Sequence, residues 1–130
     1  KAIRRQRQMC IRDRCRMFPL GRYWEDETHF KYIVQKGECN KDNLSKIKLK
    51  KWLGIEGLAE YDSYIVRWHE YVKKLQAALP GLSEDNVKIL NTFNLRVFYM
   101  TTYAGCVDDK AFYAEFDRRL AMAKEKLGLM

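Results

Sequence analysis

The sequence predicts an all-α fold, a small bundle of about five antiparallel helices. Three observations support this prediction. Apolar residues recur at spacings of three and four along residues 58–79. Residue types that cap helices separate the successive apolar stretches, and both prolines, Pro19 and Pro80, stand at predicted boundaries. The short links between helices favour antiparallel neighbours, and a single helical domain is expected over 17–130.

The first predicted helix covers about 22–36. Tyr23, Phe30 and Val34 fall near one of its faces. The three acids at 25–27 would lie in its opening turns, where the helix dipole favours negative charge.

The second and third predicted helices cover about 43–53 and 58–79. Gly54 is expected to end the second of them. The third has the clearest pattern, and a stripe of this kind must be covered by other residues. Trp68 lies within it and, if fully buried, is expected to be among the most important core residues. The stripe consists of Leu58, Tyr61, Ile65, Trp68, Val72, Leu75 and Leu79.

The fourth and fifth predicted helices cover about 83–104 and 109–127. Ser83 and Asp108 are the expected N-caps, and Gly128 is expected to end the last helix. The apolar face of the fourth helix is broad, which suggests contacts on more than one side. The fifth is expected to bury Phe112, Phe116, Leu120, Ala123 and Leu127.

The net charge of +8 over 130 residues is concentrated at the amino end. Residues 1–14 carry +5 of it, and residues 15–130 carry +3. The run over 1–14 resembles a translated sequencing adapter, so residues 1–16 are expected to be a disordered or artefactual segment. In the alternative, the same arginines form a basic arm that neutralises phosphates.

The cysteines and the apolar runs exclude several classes of protein. The four cysteines, Cys10, Cys15, Cys39 and Cys106, include no C-x-x-C pair, so we expect reduced thiols, no metal site and no cofactor. No apolar run approaches 18 residues, which argues against a membrane span. The protein is therefore expected to be cytoplasmic, without a membrane partner.

One pair of residues bears on catalysis. Arg22 and His29 have the R-x(6)-H spacing, which resembles the ribonuclease motif of the HEPN-domain family. That resemblance implies a small helical domain in which Arg22 and His29 are the residues to test. No Gly-rich phosphate loop, G-x-S-x-G or H-E-x-x-H motif is present. The sequence thus favours a non-catalytic protein.

A basic segment provides a candidate nucleic-acid surface. Residues 44–53, followed by the turn Gly54 to Gly57 and the third helix, resemble a helix-turn-helix. The charges of the third helix cancel, unlike those of a typical recognition helix. The lysines are therefore interpreted as one solvated face of an amphipathic helix, as phosphate contacts, or as part of a helix that binds a membrane or a partner's groove. They are Lys46, Lys48, Lys50 and Lys51.

The aromatic content suggests either a large core or an interface. Tyr64, Tyr71 and Tyr99 are the candidate interface residues, because tyrosine combines contact area with a polar tip. The leading hypothesis is a non-catalytic interaction or oligomerisation module that binds a protein partner or a second copy. The alternatives are a nucleic-acid-binding accessory protein that uses the basic helix, and a C-terminal helical subdomain of a longer protein.

Overall fold

The computed structural model describes residues 20–34 and 47–129, and this part of the chain is mainly helical. It contains four α-helices and a two-stranded sheet, so the mainly helical class is confirmed and the prediction of five helices is wrong. Segment 1–16, the whole of the first predicted link and residues 43–46 of the second predicted helix, Lys46 among them, lie outside the described residues. The elements are β1 Leu20–Trp24, β2 Phe30–Val34, α1 Leu49–Leu53, α2 Leu58–Ala78, a 3-10 turn Leu79–Gly81, α3 Glu84–Asn94, a π-helix Leu95–Met100 and α4 Asp109–Leu127.

The first predicted helix is instead a β-hairpin. Strands β1 and β2 pair antiparallel, with Arg22 opposite Tyr32 and Trp24 opposite Phe30. Six of the ten strand residues are aromatic or β-branched, two in β1 and four in β2, and such residues favour the pleated conformation. In β1, the half-buried side chains of Arg22 and Trp24 alternate with the exposed side chain of Tyr23. This is a period of two, as in a strand, and not the 3.6 of a helix.

The acids assigned to a helix start form the hairpin turn. The Asp26 carboxylate accepts hydrogen bonds from the backbone N–H groups of Thr28 (2.7 Å) and His29 (2.8 Å). The Glu25 N–H donates to the His29 carbonyl across the turn (2.9 Å). Hydrogen bonds from Thr28 and His29 lower the pKa of Asp26 to about 2. Aspartate stabilises turns in this way, which is why the chain reverses here instead of continuing as a helix.

The described residues divide into two compact units. The hairpin unit comprises 20–34 and 47–69, and the helical unit comprises 70–129. The boundary falls within α2, after His69. Each unit has its own buried residues.

The hairpin unit is organised around the end of α1 and the beginning of α2. Gly54 ends α1 in the left-handed conformation (φ 58°), as predicted, and Gly57 adopts the same conformation before α2. This conformation is one that glycine adopts without steric cost. The buried side chains of this unit are Leu53, Ile55, Tyr61, Tyr64 and Ile65.

The helical unit follows the predicted caps closely. The Ser83 hydroxyl accepts from the Asn86 N–H (3.3 Å), and the Asp108 carboxylate accepts from the Ala111 N–H (2.7 Å). Helix α4 has the predicted bounds and ends at Gly128 in the left-handed conformation. Its buried side chains include Phe116, which packs against Phe98 at 5.9 Å between ring centroids.

The fourth predicted helix does not continue to residue 104. Helix α3 ends at Asn94 and gives way to the π-helix. There the Thr101 N–H donates to the Arg96 carbonyl (2.9 Å), five residues back, instead of to Val97. This bond leaves the Val97 carbonyl to accept from Arg119 (2.9 Å). A contact with α4 therefore accompanies the change of helix type.

The apolar stripe of α2 is buried in part. Tyr61 and Ile65 are buried, whereas Trp68, Val72, Leu75 and Leu79 are half-buried. Trp68 is thus not the fully enclosed core residue that its position in the stripe suggested. No helix in the described ranges is long and apolar enough to span a bilayer.

Candidate functional site

The two residues of the ribonuclease-like spacing lie in the hairpin but face different surroundings. The Arg22 Nη2 donates to the Tyr61 hydroxyl (3.2 Å), and its guanidinium lies 5.5 Å from the Phe30 ring centroid. His29 is exposed in the turn, with Nδ1 2.9 Å from the Asp26 carboxylate. In the register of the hairpin, His29 lies opposite Glu25, three positions beyond Arg22. Three positions along a strand correspond to about 10 Å. The two side chains are therefore engaged separately.

Polar contacts between the hairpin and α2 were missed by the sequence reasoning. The Tyr32 hydroxyl donates to the Asp62 carboxylate (2.6 Å). Burial raises the pKa of Asp62 and also that of Tyr32, whose ionisation is further opposed by the neighbouring carboxylate. Trp24 stacks on His69 with ring centroids 3.5 Å apart and planes 10° from parallel. These contacts hold the hairpin on α2, and no local sequence pattern indicates them.

A buried arginine is the main polar feature of the helical unit. The Arg119 guanidinium donates to the carbonyls of Val97, Thr101 and Thr102, and its Nε donates to Glu115 (2.7 Å). Hydrogen bonds from Arg118, and then from Arg119, lower the pKa of Glu115 to about 2.

This arrangement satisfies Arg119 with protein groups, which is typical of a structural role. The guanidinium also lies 3.9 Å from the ring centroid of Tyr103. A sequence signal was present, because Arg119 lies three residues from Phe116 and four from Ala123 on the buried face of α4. Within the described ranges, no group of three or more His, Cys, Asp or Glu residues is placed to hold a metal ion.

The candidate interface tyrosines are mostly enclosed. Tyr64 and Tyr71 are 4% and 0% exposed, and the Tyr71 hydroxyl donates to Asn94. Tyr99 is half-buried in the π-helix. Tyr64 and Tyr71 therefore belong to the cores of their own units, which is the alternative that the aromatic content left open.

An exposed stripe runs along α3 and the π-helix, and we call it the outer face. Its residues follow one another at spacings of four, three, four and four, so they share one side of the segment. The large apolar members are strongly exposed, with Ile89 66% and Met100 72% exposed. This is the uncovered second side that the broad apolar pattern suggested. The outer face consists of Asp85, Ile89, Thr92, Arg96 and Met100.

A second exposed surface lies on α1 and on the N-cap residue that precedes it, and we call it the lysine–tryptophan patch. It consists of Lys48, Lys51 and Trp52. The Trp52 N–H donates to the Lys48 carbonyl (3.0 Å), which places these residues one helical turn apart. Lys50 is also exposed, but it is two residues from both Lys48 and Trp52 and points away from them.

Comparisons of the chain with protein-family models, with curated proteins and with solved structures find no significant match. No relative therefore supplies a function for either surface.

Proposed function

We propose that the chain is a non-catalytic interaction module that self-associates through the outer face. The observation that carries this proposal is the exposure of Ile89 and Met100 on one side of the α3 and π-helix segment. They lie about 15 Å apart along the segment axis. Burial of an isoleucine or methionine side chain contributes about 1.5–3 kcal/mol, and in a symmetric dimer each residue contributes twice.

The charges of the outer face favour a second copy as the occupant. Asp85 lies one turn before Ile89, and Arg96 lies one turn after Thr92. In an antiparallel pair crossing between Ile89 and Thr92, Asp85 of each copy meets Arg96 of the other. Such self-complementarity is what a twofold symmetric interface requires. The π-helix that carries Met100 is also a conformation often found at functional sites.

Size-exclusion chromatography with light scattering tests the apolar part of the proposal. We expect a concentration-dependent dimer, and Ile89→Glu together with Met100→Glu should weaken dimerisation by more than about tenfold. Val107→Glu is the matched control, because Val107 is 80% exposed and lies outside the outer face. A parent protein that stays monomeric, or a control that dissociates equally, would overturn the proposal.

A charge exchange tests the antiparallel arrangement. Asp85→Lys and Arg96→Glu should each weaken the dimer, because each places like charges opposite one another. The double variant should restore much of the affinity, because the pairs are then re-formed with exchanged signs. If both single variants dimerise like the parent, the antiparallel pairing is wrong.

A further inference from the structure

We infer that the lysine–tryptophan patch binds single-stranded nucleic acid, with Lys48 and Lys51 on phosphates and Trp52 stacking on a base. This site lies on α1 in the hairpin unit and is independent of the proposed self-association, which uses α3 and the π-helix. The inference depends on three properties of the patch. They are its exposure, the spacing of its residues and the way in which α1 is held.

Exposure and residue type define the chemistry of the patch. Trp52 is 47% exposed even though an indole usually contributes to burial, and both lysines beside it are exposed. An aromatic ring among lysines is the combination used by proteins that bind single strands, because every base has a face that can stack. Ammonium groups supply the contact with phosphates.

The spacing brings these groups to one side of the helix. Lys48 and Trp52 are four residues apart, and Lys48 and Lys51 are three apart, so Lys48 lies between Lys51 and Trp52 on one side of the helix. The opposite side of α1 is anchored by Leu53 (2% exposed), and Ile55 is buried just beyond Gly54. A helix of five residues is held by such burial and not by its own hydrogen bonds. The patch is therefore presented on a fixed element.

The recognised ligand is a single strand and not a duplex. A recognition helix for the major groove needs a length and charge that α1, with five residues, does not offer. Stacking on Trp52 requires an unpaired base. An anionic membrane is the competing explanation for exposed lysines beside tryptophan, and the experiment includes it.

The experiment measures binding of the full-length chain to fluorescein-labelled oligothymidylate by anisotropy over a range of salt concentrations. Residues 1–14 carry +5 in every variant, so their contribution is the same throughout the comparison. Lys48→Gln with Lys51→Gln should reduce the slope of log affinity against log salt by roughly 1.4, which corresponds to two phosphates. Lys51→Gln alone should reduce the slope by about half as much, and Lys50→Gln, its matched control, should leave the slope unchanged.

Substitution of Trp52 tests stacking separately from charge. Trp52→Leu should lower affinity by about five- to a hundredfold without changing the salt slope, and Trp52→Phe should retain most of the affinity. Circular dichroism confirms that each variant is folded, and the phenylalanine variant keeps the test valid if leucine destabilises α1.

Three results would overturn the inference. The first is equal binding by the parent, the lysine variant and the leucine variant. The second is a loss caused by Lys50→Gln as large as that caused by Lys51→Gln. The third is binding to a duplex of equal length, or to phosphatidylserine vesicles, that exceeds binding to the single strand and depends on Trp52.

Discussion

The hairpin unit and the helical unit are stabilised by different kinds of contact. In the hairpin unit, side chains of β1 and β2 reach α2 through polar and aromatic pairs, such as Tyr32 with Asp62 and Trp24 with His69. In the helical unit, the largest fully enclosed side chains are aromatic, among them Phe98 and Phe116. Burial of apolar surface has a helical period that the sequence displays, whereas paired polar contacts between distant residues do not.

Each unit contains an arginine that lies against a tyrosine ring. The two arginines differ in how deeply they are buried and in the groups to which they donate. Arg22 is half-buried, and its guanidinium lies 5.8 Å from the ring centroid of Tyr61. Arg119 is buried and donates to backbone carbonyls as well as to Glu115. A buried guanidinium must have its donors satisfied by protein groups.

The largest expected effect is a loss of stability on truncating a buried ring, and it compares the core of the helical unit with that of the hairpin unit. Phe116→Ala should lower the free energy of unfolding by about 3–5 kcal/mol, because the ring is fully buried and leaves a cavity. Trp68→Ala should cost clearly less, since the indole is half-buried. Urea denaturation followed by circular dichroism measures both. Equal losses would show that the hairpin unit depends on apolar packing as strongly as the helical unit.

An intermediate effect compares two tyrosine hydroxyls, one in each unit. Tyr32→Phe removes the donor to a carboxylate and should cost about 1.5–3 kcal/mol, as expected for a hydrogen bond to a charged group. Tyr71→Phe removes the donor to the neutral amide of Asn94 and should cost about 0.5–1.5 kcal/mol. The same denaturation experiment ranks them. The reverse order would mean that Asp62 finds another partner once the hydroxyl is gone.

The smallest effect is a difference in pH dependence. Because the folded pKa of Glu115 is about 2, its stabilising contribution is present above the ordinary value of 4.5 and is lost as pH falls toward 2. The pKa of Asp62 is raised by burial, so its protonation favours the folded state as pH falls.

Two variants separate these opposite contributions. In urea titrations from neutral to acid pH, Glu115→Gln should flatten the loss of stability in acid. Asp62→Asn should make that loss steeper than in the parent. Parallel pH curves for the parent and both variants would contradict the assignment.

The success of sequence reasoning follows the kind of contact. Helix α4 was predicted with its bounds because Asp108, Gly128 and the apolar face all lie within the element itself. The hairpin was missed because the acids at 25–27 suit a helix start as well as a turn. The overlooked signal was the period of two. It places Arg22 and Trp24 on one face of β1, and Phe30 and Tyr32 on one face of β2.

The candidate surfaces were predictable to different degrees. The exposed lysines of α1 follow from their charge, and the second side of α3 follows from the breadth of its apolar pattern. The burial of Tyr64 and Tyr71 depends on which side chains cover α2, which local pattern does not reveal. The same holds for the π-helix, because the carbonyls of Val97 within it and of Thr101 just after it accept from Arg119, about twenty residues farther along the chain.

The π-helix makes the length of this segment as important as its composition. Its hydrogen bonds span five residues instead of the four of an α-helix, so deletion of one residue from 95–100 would allow the ordinary hydrogen-bond ladder to re-form. The Val97 carbonyl would then be occupied by the backbone, and Arg119 would lose an acceptor. Point substitutions on the solvent side of this segment should therefore be tolerated far better than single-residue insertions or deletions.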